Sequence, residues 1–228
     1  MNRLCLFILL LTPLPTHAEP SSVIHILDRS YLSYDDYSTD LKGKDKTISK
    51  HQILKNYIVF LEDLKTIQKQ QRDLLRSLIP KHKLTAVYLE RLTEKNHEKL
   101  MELLQLLKNH VKNSETPQGG RDQLIEHQNI IGTAGQLAIL GELNTLLPAD
   151  DSKALEAAPP VRSEGKMITD KKAIEAREDA IVTNLLKADG VAVIFLSGDH
   201  DLTNNFKRLA KGIKYQRVAV PKYKEVVK

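Results

Sequence analysis

Cysteine, tryptophan and long apolar runs are what this chain has least of. Its 228 residues include one cysteine, Cys5, and no tryptophan, and only 5% of them are aromatic. One cysteine cannot form an intrachain disulfide, so stability has to come from packing. The net charge is +5, but no aromatic-basic platform accompanies it, and a nucleic-acid partner is not expected. Lysines are scattered along helical segments and gathered in a basic tail over 222–228. Solvated helix faces and a frayed terminus account for that pattern.

The first residues, MNRLCLFILLLTPLPTHAEP, read as a secretory signal. Arg3 supplies the charged start, Leu4–Leu11 the apolar core, and Thr16-His17-Ala18 the small-residue cleavage site. Eight apolar residues fall far short of the ~20 that a membrane-spanning helix needs, and Pro13 and Pro15 break the run. Cys5 lies inside that run rather than after it, which argues against lipidation. An exported protein of residues 19–228, periplasmic or extracellular and without stable membrane insertion, is the expectation. Losing Arg3 lowers the net charge from +5 to about +4, and the remaining 210 residues suffice for one domain.

Four short runs read as strands: Val23–Leu27, Thr85–Leu89, Val191–Leu196 and Tyr215–Val220. A helical pattern from 49 to 79, with Ile53, Phe60, Leu64, Ile67 and Leu75 on its apolar side, ends at Pro80. Thr93 caps a second helix whose buried stripe is Leu100, Leu103, Leu104, Leu107 and Val111. Residues 113–121 form a loop, and 122–147 read as helical with Gly132, Gly135, Ala138 and Gly141 spaced three apart for close packing. Residues 148–166 read as a mobile connection, followed by helices over 169–187 and 202–211. Strands alternate with helices, so the class is α/β, one domain over 19–221 with a mostly parallel central sheet flanked by helices. Residues 113–168 are its helical insertion and connection.

The strands share one habit: each runs into polar residues. The first ends in Asp28-Arg29-Ser30, the second in Glu90-Arg91, the third in Gly198-Asp199-His200-Asp201. In a parallel sheet these groups meet at the carboxyl edge, where open α/β sheets place their ligands. Carboxylates and an imidazole there can ligate a divalent metal or activate water. Each also has a structural alternative. Asp201 caps the helix after it, Asp28 holds a turn, Glu90 pairs with a nearby lysine, and His25 is a satisfied sheet-face histidine. On the helix before the third strand, Glu178 falls in the apolar stripe and Arg177 at its margin. A carboxylate there needs a partner, and a Lys or Arg beneath the sheet edge is expected to supply it, with Arg177 reaching into the cleft.

Taken in order, "VYLER" with Glu90, "IEAREDAIV" with Arg177 and "IFLSGDHDL" with His200 resemble the superfamily of TraB, Tiki, ChaN and erythromycin-esterase-like proteins. That superfamily has a first strand ending in Gly-x-x-His, a second ending in Glu, a helix carrying Arg and a final Gly-x-x-His. Here Ser197 stands at the first glycine of the last motif, while Leu27 and Ser30 stand at the Gly and His of the first. Serine does not replace imidazole as base or strong ligand. The resemblance implies a secreted hydrolase acting on an ester or peptide bond of a small-molecule or peptide substrate. Glu90 and His200, with Asp28 or alternatively Asp199, would hold a divalent metal or activate water, and Arg177 would stabilise an oxyanion. The other implied reading is a non-catalytic protein that binds a small ligand, haem for example, in the same cleft.

Overall fold

The computed structural model describes residues 20–112, 131–158, 161–163, 166–168 and 170–227. The expected signal segment and the expected loop over 113–121 lie outside these residues. In chain order the elements are β1 (Ser22–Asp28), α1 (Tyr34–Lys44), α2 (Lys50–His82), β2 (Ala86–Leu89) and α3 (Glu94–Lys112). A helical stretch over 131–139 (α4) precedes β3 (Thr145–Pro148) and α5 (Ser152–Ala157). A short antiparallel pair, β4 (Val161–Ser163) and β5 (Lys166–Ile168), leads to α6 (Lys171–Leu185). The chain continues through β6 (Val191–Ser197), α7 (Thr203–Leu209), β7 (Lys214–Val218) and α8 (Pro221–Val226).

Five strands form one parallel sheet in the order β3-β2-β6-β1-β7. The central strand β6 explains the three layers. Val193 and Phe195 point to the face that packs against α2, α3 and α4 through Leu75, Leu104 and Leu137. Ala192, Ile194 and Leu196 point the other way, onto Ile181, Leu185 and Phe206 of α6 and α7. A strand buried on both faces has no polar alternation, hence its unbroken apolar run. No helix among the described residues is long and apolar enough to cross a membrane.

Several boundaries differ from the sequence expectation, each for a local reason. Pro80 lies inside α2, which continues to His82. In the last turn a proline costs one helical hydrogen bond, and the helix is closed after it by Lys83 in the left-handed conformation, with the Lys83 and Leu84 N–H groups both donating to the Ile79 carbonyl. The helix expected to reach 147 stops earlier, because Gly141 (φ 77°) turns the chain left-handed and the Glu142 N–H returns to the Leu137 carbonyl. Residues 145–148 then form an edge strand of the main sheet, pairing Leu146 with Val87, rather than part of a helical insertion. Within the expected connection, Asp151 caps α5 by accepting the Lys153 and Ala154 N–H groups. The basic tail is helical as far as Val226, and its Tyr223 is buried with Ile67 of α2. The final strand is correspondingly shorter than Tyr215–Val220, and α1 was not foreseen.

Of the helices after β1 and β2, α2 and α3 cover one face of the sheet, whereas α7, which follows β6, covers the other. Because β6 lies between β1 and β2, the chain leaves neighbouring strands in opposite directions. A crevice opens at the carboxyl ends of such strands.

Candidate functional site

That crevice is a cleft of about 460 Å³. Its polar side is built by Asp28, Arg29, Ser30 and Tyr31 after β1, and by Glu90 and Arg91 after β2, with Asn96 nearby. Its apolar side is Leu89, Leu92, Leu100, Leu103, Ile131 and Phe195. The volume and the mixed lining are those of a small-molecule site.

Glu90 is shared between this cleft and a buried ionic cluster behind it. Its Oε2 accepts the Ser197 backbone N–H at 2.7 Å and its Oε1 accepts from Arg177 Nη2 at 3.2 Å. Arg177 is clamped in turn by Asp150, with Nε to Oδ1 at 2.6 Å and Nη2 to Oδ2 at 2.9 Å. His200 completes the cluster: Nδ1 donates to Glu178 Oε1 at 2.9 Å, and Nε2 lies 3.7 Å from Glu90 Oε1. Asp150 is 0% exposed, Arg177 7% and His200 9%, so these charges are paired because burial leaves them no water. The cluster ties the ends of β2, β3 and β6 to α6.

Electrostatics follow from that pairing. Burial opposes a charge on His200, but the hydrogen bond to Glu178 and the nearby Glu90 carboxylate outweigh it and raise its pKa to about 9. Burial likewise opposes the Glu90 carboxylate, yet His200, the Ser197 N–H and Arg177 bring it down to about 2. In the cleft itself, burial pushes Asp28 up to about 6, against hydrogen bonds from Gln71 and the Arg29 backbone. His25 is the satisfied sheet-face histidine: Nε2 donates to the Leu196 carbonyl at 2.9 Å and Nδ1 accepts the Tyr215 hydroxyl at 2.6 Å. Burial lowers its pKa to about 4.

The parallel strands bring Asp28, Glu90 and His200 to one edge of the sheet, as expected, but not to one point. Asp28 lines the cleft with Glu90 and accepts from Gln71 Nε2 at 3.1 Å. His200 and Arg177 lie behind Glu90 and do not line the cleft. The partner of Glu178 is His200, not a Lys or Arg. Asp199 is exposed beside the Ser197 hydroxyl, and Asp201 accepts the Thr203 N–H at 3.0 Å where α7 begins. Gly198 is not among the left-handed glycines. The glycine instead makes room for the Tyr223 hydroxyl, which a Cβ would strike, and His200 turns inward.

The residues do not fit the divalent metal that the resemblance implies. Both Glu90 oxygens and His200 Nδ1 are already engaged, and Arg177 Nη1 lies 3.3 Å from His200 Nε2, where a second cation would be repelled. Among the described residues no group of three His, Cys, Asp or Glu side chains converges as a metal site. No protein-family model, curated protein or solved structure matches the chain.

Two participants were missed in the sequence. Asp150 sits at the end of β3, and "TLLPAD" carries the same apolar-run-then-carboxylate signal as the other strand ends. Arg29 was noted only as part of a strand end. It stacks over Phe60, with Cζ 4.7 Å from the ring centre, and its Nη1 is buried with no hydrogen-bond partner among the described residues.

Proposed function

We propose that this is an exported small-ligand-binding protein whose site is the cleft at the carboxyl ends of β1 and β2. One observation carries this reading. The residues that would do chemistry behind Glu90 are buried and mutually satisfied, while the cleft in front of them has about 460 Å³ of space and mixed walls. The cluster then acts as the frame that fixes Glu90 and the strand ends. Resemblance to a superfamily with a haem-binding member supports a ligand at this edge. Among iron-ligating side chains, however, the described lining offers only Tyr31, so an organic molecule suits the cleft better than haem.

The test is a ligand-detected NMR screen of small organic molecules against the full chain and against Leu103→Trp, whose larger side chain takes up part of the space beside the apolar wall. Hits that bind the parent and lose at least about tenfold in affinity to the variant support the reading; hits indifferent to Leu103→Trp contradict it.

A second reading, metal-free hydrolysis, is favoured by one feature. Asp28 and Glu90 line the same cleft with pKa values driven apart, to about 6 and about 2, the pattern of an acid and a carboxylate in distinct roles. Turnover of p-nitrophenyl esters that falls about 100-fold in Asp28→Asn would support it. Equal turnover by both proteins would remove it.

A further inference from the structure

We propose that the ligand of this cleft is a small amphiphile with an anionic head, a carboxylate or a phosphate, received by Arg29 and Arg91 while its body lies on the apolar wall. The inference rests on the small-ligand reading above and adds the chemistry of the ligand.

Arg29 carries the argument. It leaves the end of β1 into the wall of the cleft, and Phe60 holds its guanidinium from one face. Its Nη1 is buried without a hydrogen-bond partner among the described residues. A buried N–H of a charged group left unmade is costly, and native structures pair such groups. The Arg29 side chain makes no hydrogen bond or ion pair among the described residues and borders the cleft, and a guanidinium matches carboxylate or phosphate oxygens two at a time.

Arg91 supplies the second cation. Its backbone is left-handed (φ 63°), a conformation unfavourable for a side-chain-bearing residue, and its N–H is anchored on Asp150 Oδ2 at 2.6 Å. The exposed side chain borders the same cleft and makes no hydrogen bond or ion pair among the described residues. Two acidic groups also face the cleft. Glu90 is neutralised from behind by Arg177 and His200. Asp28 is held by the Gln71 amide. The apolar part of the lining, Leu92, Leu100, Leu103 and Phe195, offers no polar side chain, so a wholly hydrophilic anion would leave it uncovered.

The probes are octanoate, octyl phosphate, 1-octanol and octyltrimethylammonium, titrated calorimetrically into the full chain, into Arg29→Gln, Arg29→Lys and Arg91→Gln, and into Leu103→Trp. At least one anion should bind about 10- to 100-fold tighter than octanol, the range expected for charge-assisted hydrogen bonds. The better of the two identifies the head as carboxylate or phosphate. Arg29→Gln should abolish the preference while leaving octanol within about twofold, and Arg29→Lys should restore part of it. Arg91→Gln, at an exposed position that cannot threaten folding, should weaken the anion alone. Octanol or the ammonium binding as tightly as both anions, with octanol still sensitive to Leu103→Trp, would overturn the anionic head and leave the cleft reading standing. Binding of no probe would overturn both.

Discussion

Arg177 and Arg29 sit at the same carboxyl edge of the sheet, and their surroundings differ in one respect. Arg177 donates to Asp150 through two nitrogens, and to Glu90. Arg29 rests on Phe60 and keeps a buried nitrogen without a partner. The first arginine directs Nε and Nη2 onto carboxylates of the protein itself, so it holds strands and helix together. The second has a donor left, which is what a binding site must keep. Residue types alone do not separate a structural ion pair from a recognition element; the count of satisfied donors does.

Breaking the satisfied side should have the largest effect. Arg177→Leu strands Asp150 and Glu90 without their cation and should lower the unfolding free energy by about 3–5 kcal/mol, read by urea denaturation. A loss under about 1 kcal/mol would mean that water reaches these carboxylates and that they are no more than a surface pair.

His200 gives the same side a pH signature. The folded state holds its proton more tightly than the unfolded chain, with a pKa of about 9 against 6.5. Its contribution is therefore complete below about pH 6.5 and lost as pH rises through about 9. Parent minus His200→Gln stability should be positive at pH 6 and shrink steadily toward pH 9.5. A difference independent of pH would show that His200 is buried neutral.

On the open side, Asp28→Asn should stabilise. Burial raises the Asp28 pKa from 3.8 to about 6, so the folded state bears a charge cost that grows as pH rises from 3.8 and is full above about 6. The gain should approach about 3 kcal/mol at pH 8 and fade near pH 4, measured by denaturation at both. A destabilised variant at pH 8 would show that the ionised carboxylate is a structural partner. Smallest is Arg91→Gly, which relieves a left-handed residue and should add about 1 kcal/mol while weakening anion binding. Anion binding as tight as in the parent would remove Arg91 from the site.

The sequence showed the satisfied half better than the open one. The unbroken run from Val191 to Leu196 marked a central strand, and the strand ends named Glu90 and His200 as neighbours. Asp150 was hidden because β3 has four residues and follows a glycine-spaced helix whose periodicity masked its start. Tyr223 was hidden because a six-residue helix with lysines reads as a tail until its burial against α2 is known. The surroundings of Gly198 were illegible for a similar reason: the group a Cβ there would strike is the Tyr223 hydroxyl, far along the chain. Arg29 could not be singled out, since an unmet donor is visible only once every neighbour has a position.

The central claim is that His200 belongs to the frame and the cleft to the ligand. The most direct measurement is the affinity of His200→Gln for octanoate or octyl phosphate, whichever the parent binds more tightly, taken at pH 6 where the variant's stability is also known. The account predicts a less stable protein whose affinity stays within about threefold of the parent, under 1 kcal/mol. An equally stable protein that has lost the ligand would place His200 in the binding site and contradict the account.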